Sequence, residues 1–230
     1  MKAQPTKTKA ETPDPVEFKN YKRVYTKRGV AQFANLLEPN RRHNASGVFS
    51  VVLMFPEGSE GHVELAEAIE AHFEAYKETL SKADLAGLSK ATLNLASKPA
   101  VNKDGSPVLA PDGTTPMIAF NFKADAMRKR GDTLVPNRPK VVDAKMNVVP
   151  AAVSVGRGSE LIVSGQMNAY GPAKVDGGKV IAGVSLALDG AQLLKRVEGF
   201  SGPEFQSYDG DDGFVVTEDG APGQDDGSAY

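Results

Sequence analysis

Cysteine is absent from the 230 residues, which excludes disulfide scaffolds, thiolate metal sites and a cysteine nucleophile. Tryptophan is absent as well, and histidine is limited to His43, His62 and His72. So few imidazoles leave little from which to build a histidine metal centre or a Ser-His triad. No P-loop, GxSxG, HExxH or GxGxxG motif is present. Asp209-Gly-Asp211-Asp212-Gly213 opens like a calcium loop, but Gly220 stands where the twelfth-position acid belongs. The longest apolar stretch, Val48 to Phe55, is far short of the roughly 20 residues of a bilayer span. No apolar segment follows the first lysines, so a secretory signal is not expected. A soluble intracellular protein without membrane contact, metal, cofactor or catalytic machinery is the expectation.

Charge is plentiful and unevenly placed. All 27 Lys and Arg lie in residues 1–200, against 21 acids there, whereas residues 201–230 hold eight acids and no base. Within the body, 57–84 carries eight acids against Lys77 and Lys82. Taking that segment out leaves 25 bases and 13 acids, a net of +12. A basic body with an acidic tail points to a polyanionic partner and to a tail that competes with it. A solvated surface with a solubilising tail is the alternative.

Residues 1–17 are rich in Lys, Thr and Pro and are expected to be a disordered arm. The basic, aromatic segment Tyr21–Leu37 predicts one extended strand bent near Gly29, and Val48–Phe55 predicts a second. Leu65, Ile69, Phe73, Tyr76 and Leu80 recur at helical spacing, predicting one amphipathic helix over 62–83. His62 and His72 point apart on it. The turn-rich span 97–116 reads as a hairpin or long loop, and Met117–Lys123 alternates as a strand. A short strand is expected around Val141. Glu160–Tyr170 and Lys179–Leu188 form strands around the Asp176-Gly177-Gly178 hairpin turn. Small residues on the outer side of the second would admit a close neighbour.

One helix among about five strands excludes the alternating α/β pattern. It fits a mainly β, five-stranded, partly open OB-type barrel with an interposed helix and long loops, over 18–200. A β-sandwich with one helix is the alternative. Residues 201–230 form a flexible acidic tail.

Binding to unstacked nucleic acid needs cations for phosphates and flat rings for bases. Tyr21, Lys22, Arg23, Tyr25, Lys27 and Arg28 supply both on the first strand, with Arg41 and Arg42 in the following turn. Phe120 and Phe122 share a face, so both are core or both form a stacking platform. Lys123, Arg128, Lys129 and Arg130 follow them, Arg138 and Lys140 frame the short strand, and Tyr170 lies near Lys174. The acidic helix would be repelled by phosphate, which argues against duplex recognition. A structural or assembly protein without a nucleic-acid role, and a metal-assisted nuclease, are the competing classes.

Gly29-Val-Ala-Gln-Phe33-Ala-Asn-Leu-Leu-Glu38-Pro39-Asn40, followed by Phe49-Ser-Val-Val-Leu-Met-Phe-Pro56, resembles the opening of tailed-phage single-stranded-DNA-binding proteins. The closing block is similar: Asn168-Ala-Tyr170, Gly183-Val-Ser-Leu-Ala-Leu188, Ala191-Gln192-Leu193, and Phe214 among aspartates. The resemblance covers roughly 20–215. It implies an OB fold and sequence-tolerant coating of single strands during phage DNA replication and recombination, in the cytoplasm of the infected bacterial host. It also implies that an acidic C-terminal tail docks replication proteins (polymerase, helicase) and covers the groove when DNA is absent. That role would fall to Asp211, Asp212, Phe214, Asp225, Asp226 and Tyr230. The oligomeric state, homo-oligomer included, is left open.

Overall fold

The computed structural model describes residues 19–42 and 44–198. The N-terminal arm and all six tail residues named above therefore lie outside the described residues. In chain order the elements are β1 (Tyr21–Tyr25), β2 (Gly29–Asn40), β3 (Val48–Pro56), α1 (Glu60–Lys77), α2 (Lys82–Leu88), β4 (Thr92–Asn94) and β5 (Ser97–Pro99). They continue with β6 (Met117–Asp125), β7 (Met127–Arg130), β8 (Thr133–Pro136), β9 (Lys140–Asp143), β10 (Glu160–Lys174) and β11 (Val180–Lys195).

Five strands close on themselves in the order β2-β3-β6-β11-β10. All contacts are antiparallel except β6–β11, and β10 returns to β2 through Glu160 opposite Val30 and Leu161 opposite Gly29. This is the expected OB-type barrel. Alternation built it: on β10, Leu161, Val163, Met167 and Ala169 point inward, and on β11 Val184, Leu186 and Leu188 meet them. Leu53, Phe55, Phe120 and Phe122 complete the core, and Phe55 meets Phe120 edge-to-face at 5.9 Å. From α1, Leu65, Ile69 and Phe73 plug the barrel, while its glutamates stay outside.

Two expectations need correction. The segment Tyr21–Leu37 is two strands, not one. The chain leaves the extended ladder at Thr26–Arg28, where Thr26 bonds Val163 through its backbone N–H (2.9 Å) and accepts the Val163 N–H on its hydroxyl (2.9 Å). Consequently β1 pairs with β10, and β2 pairs with β3. The helix likewise ends at Lys77, not 83. Ser81 starts a separate helix, α2, by accepting the Asp84 N–H at 3.2 Å, a side-chain cap that competes with continuing the first helix.

The small residues of β11 do admit close neighbours. At Gly183 (φ 154°) a Cβ would sit 1.9 Å from the Asn94 carbonyl oxygen, and at Gly190 2.5 Å from that of Lys140. Those glycines let β4 and β9 lie parallel to β11 on either side of β6, along the edge opposite β10.

The turn-rich span folds back over the outside of the barrel. Ala100, Val108 and Ala110 cover Met54, Met117 and Ala119 in a second, smaller core. Its tip is fixed by Asp112, whose carboxylate accepts from Thr115 Oγ1 (2.5 Å) and from the Thr114 and Thr115 N–H groups (2.8 and 2.9 Å). These bonds favour the ionised form, the Thr115 hydroxyl most, and hold the Asp112 carboxyl at about 2. Because the folded value lies below the ordinary one, this anchor is fully present above about pH 4 and is lost as pH falls through about 2. A carboxyl NMR titration should therefore find Asp112 with a midpoint near 2, returning toward 3.8 in Thr115→Val. An ordinary midpoint in the unsubstituted protein would show that the loop is not held this way.

Candidate nucleic-acid interface

Register aligns the outward side chains of the barrel in rows. Tyr25 stands opposite Ser164, Ser164 opposite Gly190, and Gly190 beside Lys140. In the next row Arg23 faces Gln166, which faces Ala187, which lies beside Lys123 and then Ser50. Each row has small or neutral residues in the middle, a ring or guanidinium from β1 on one bank and a lysine on the other. Four strands at about 4.8 Å spacing put those banks roughly 14 Å apart at the backbone.

Two open grooves follow one another along β11 in this surface. The first, about 430 Å³, is lined by Asn94, Ser97, Lys98, Asn121, Lys123, Ser185 and Ala187 among others. The second, about 410 Å³, is lined by Tyr25, Lys140, Met146, Ser164, Asp189 and Gly190 among others. From Ser185 to Gln192 the trough runs on the order of 23 Å at strand rise.

The sequence-predicted residues divide on this geometry. Tyr21, Arg23 and Tyr25 point outward from β1, with Tyr25 69% exposed. Lys22 points to the other side of β1 and is exposed. Lys123 and Lys140 are exposed on the opposite bank and make no ion pair among the described residues. Tyr170 is half-buried opposite Gly183, beyond the far end of the trough from Tyr25, and exposed Lys174 follows it. At the Tyr25 end, the β2–β3 turn carries exposed Arg41 and Arg42. The Gly47 carbonyl of that turn accepts the Ala126 N–H (2.9 Å), joining it to the β7–β8 hairpin with exposed Arg128, Lys129 and Arg130. The β2–β3 turn and the β10–β11 turn correspond to the two loops that OB folds use for oligonucleotides.

Five predicted residues leave the site. Phe120 and Phe122 are both fully buried, because β6 alternates and their face is the barrel interior. No base can stack on them in the folded barrel. Lys27 is held by Glu60 (3.1 Å) and Glu64 (3.5 Å) of α1, and the hydrogen bond to Lys27 lowers the Glu60 carboxyl below its ordinary range. Arg28 pairs with Glu160. Arg138 donates to the Leu37 carbonyl at 3.0 Å, which ties the segment leading into β9 to β2. Such cations are engaged before any phosphate arrives, although exposed pairs of this kind are worth little to stability.

Three trough or face residues were not predicted. Phe33 is 53% exposed on the outer face of β2, opposite Val52. Lys98 and Asn121 line the first groove. One acid also enters the trough: Asp189, whose oxygens accept from Gln166 Nε2 at 3.2 and 3.1 Å.

No family model and no curated protein matches the sequence. The fold has solved counterparts. The barrel is shared with gp2.5 of bacteriophage T7. That protein, a single-stranded-DNA-binding protein, is 18% identical over 86% of this chain and all of its own, with a TM-score of 0.55. A single-stranded-DNA-binding protein of bacteriophage Enc34, solved in complex with single-stranded DNA, is 13% identical over 78% of this chain and 89% of its own, with a TM-score of 0.46. At 18% identity the likeness to gp2.5 is one of fold.

Proposed function

We propose that this chain binds single-stranded DNA without sequence requirement, coats it during phage DNA replication and recombination in the infected host's cytoplasm, and performs no catalysis. The observation that carries this reading is the trough: exposed Tyr25 and Arg23 on one bank, and Lys123 and Lys140 on the other, over a floor of small neutral residues. Rings stack any base and cations track any backbone, so the arrangement is sequence-tolerant. T7 gp2.5, which shares the barrel, is named a single-stranded-DNA-binding protein. The longer of the described helices, α1, presents glutamates outward, and the described residues hold no metal-binding cluster.

Fluorescence anisotropy with labelled oligonucleotides tests it. With four to six phosphates neutralised at about 0.7 per contact, log K should fall against log salt with a slope of roughly −3 to −4. The matching duplex should bind much more weakly. A salt-independent affinity, or tighter duplex binding, overturns the proposal and leaves the structural-protein reading.

The eight acids of residues 201–230 carry a second expectation. Tethering holds such a segment at about millimolar effective concentration near the trough, so DNA must displace it. Truncation after Gly199 should tighten single-strand binding at low salt, with the gain shrinking as salt rises. The same truncation should abolish recruitment of polymerase or helicase partners, which we assign to this tail. Equal affinities at low salt would leave the tail with no competing role.

A further inference from the structure

Asn121 occupies a fork in the barrel wall. On one edge β6 pairs with β5 up to Phe120, opposite Ser97, and then with β11 from Phe122, beside Leu186. Asn121 is the residue between, where the two neighbours separate and the first groove opens. Its side-chain oxygen Oδ1 is buried and has no hydrogen-bond partner. The side chain makes no hydrogen bond with any described residue, whereas Asn35, on the same outer face, bonds Ser50 at 3.3 Å. A buried orphan acceptor costs stability, and a valine of similar size would remove the cost. What remains is a free amide at the floor of a groove whose walls carry Asn94, Ser97, Lys98, Lys123 and Ser185.

We propose that this fork is a subsite that reads the edge of one pyrimidine base, with Asn121 holding the donor–acceptor pair of the base and Lys98 reading the carbonyl beyond it. The inference rests on the single-strand-binding reading above and adds a preference to it. An amide offers one donor and one acceptor side by side, and its terminal torsion turns easily to present either to the groove. The Lys98 ammonium adds donors only. Cytosine and thymine each present a donor next to an acceptor and, beyond them, the O2 carbonyl as a further acceptor. Adenine offers the donor–acceptor pair but a C–H beyond it, and guanine offers an amino group there. The Asn121–Lys98 set is therefore filled by a pyrimidine and left short by a purine.

The test is anisotropy of the full chain with labelled oligo-dT, oligo-dC and oligo-dA of one length at one salt concentration, with Asn121→Val and Asn121→Asp alongside. The unsubstituted chain should bind oligo-dT and oligo-dC about fivefold or more tighter than oligo-dA, roughly the worth of the one hydrogen bond from Lys98 that a purine forgoes. Asn121→Val should reduce that difference to within about twofold by weakening oligo-dT and oligo-dC binding more than oligo-dA binding, and should raise the melting temperature by about 2–4 °C as the orphan atom is removed. Asn121→Asp, which keeps the shape but loses the donor, should lose the preference too, and it carries the test if the valine variant fails to fold. A pyrimidine preference that survives both substitutions reflects strand flexibility and overturns the proposal, as does an equal loss for all three oligonucleotides. Binding without base preference overturns this inference alone, and absence of single-strand binding overturns the proposed function with it.

Discussion

Phe120→Ala should destabilise the protein by about 3–5 kcal/mol and leave the affinity of each folded molecule for single-stranded DNA unchanged. The ring is fully buried against Phe55 in the barrel core, and a closed barrel relaxes only partly around so large a deletion. Tyr25→Ala should do the reverse. Its ring is 69% exposed beside the second groove, so its removal costs about 1–3 kcal/mol of binding with little change in melting temperature. Thermal unfolding and anisotropy on both variants separate the two roles. Loss of affinity without loss of stability in Phe120→Ala would mean that the ring leaves the core to meet DNA.

That pair also shows which parts of the site were legible in the sequence. Alternation told that Phe120 and Phe122 share a face, but a face has no sign until its neighbours are known. The neighbour that gave it one is β3, whose Leu53 lies opposite Phe120 and is itself fully buried. The long strands β10 and β11 were legible because a period of two, in Leu161–Ala169 and again in Val180–Leu188, flanks a Gly-rich hairpin turn. Phe33 was not legible, because the pairing of β2 slips between Ala31 and Phe33 and reverses the phase as far as Asn35. Lys27 and Arg28 read like Lys22 and Arg23 along the chain. They differ only in partners 33 and 132 residues away, Glu60 and Glu160, which no local pattern contains. The barrel was therefore within reach of local patterning, whereas the division of cations into engaged and free depended on tertiary pairing. Asn121 was hidden for the same reason: the fork around it exists only because β5 and β11 arrive at β6 from distant parts of the chain.

Replacing Arg23, Lys123 and Lys140 together by glutamine should weaken single-strand binding about 100-fold at 0.1 M salt. Three phosphate contacts at about 0.7 each make roughly two units of slope in log K against log salt, and that slope is worth about two decades between 1 M and 0.1 M. The deficit should shrink steadily as salt rises. Folding should be little affected, since all three side chains are exposed and none is ion-paired among the described residues. Lost net charge alone would act on any surface, so the comparison that decides is Lys90→Gln with Lys103→Gln, two exposed cations that line neither groove. A long-range field treats every lysine on the barrel alike and would lower affinity in proportion to the charge removed, whereas contact in the trough makes the triple variant steeply worse and leaves the control near the unsubstituted protein. Proportional losses in the two variants would move the binding surface away from β1, β6 and β9, and Tyr25→Ala would then lose its expected effect as well.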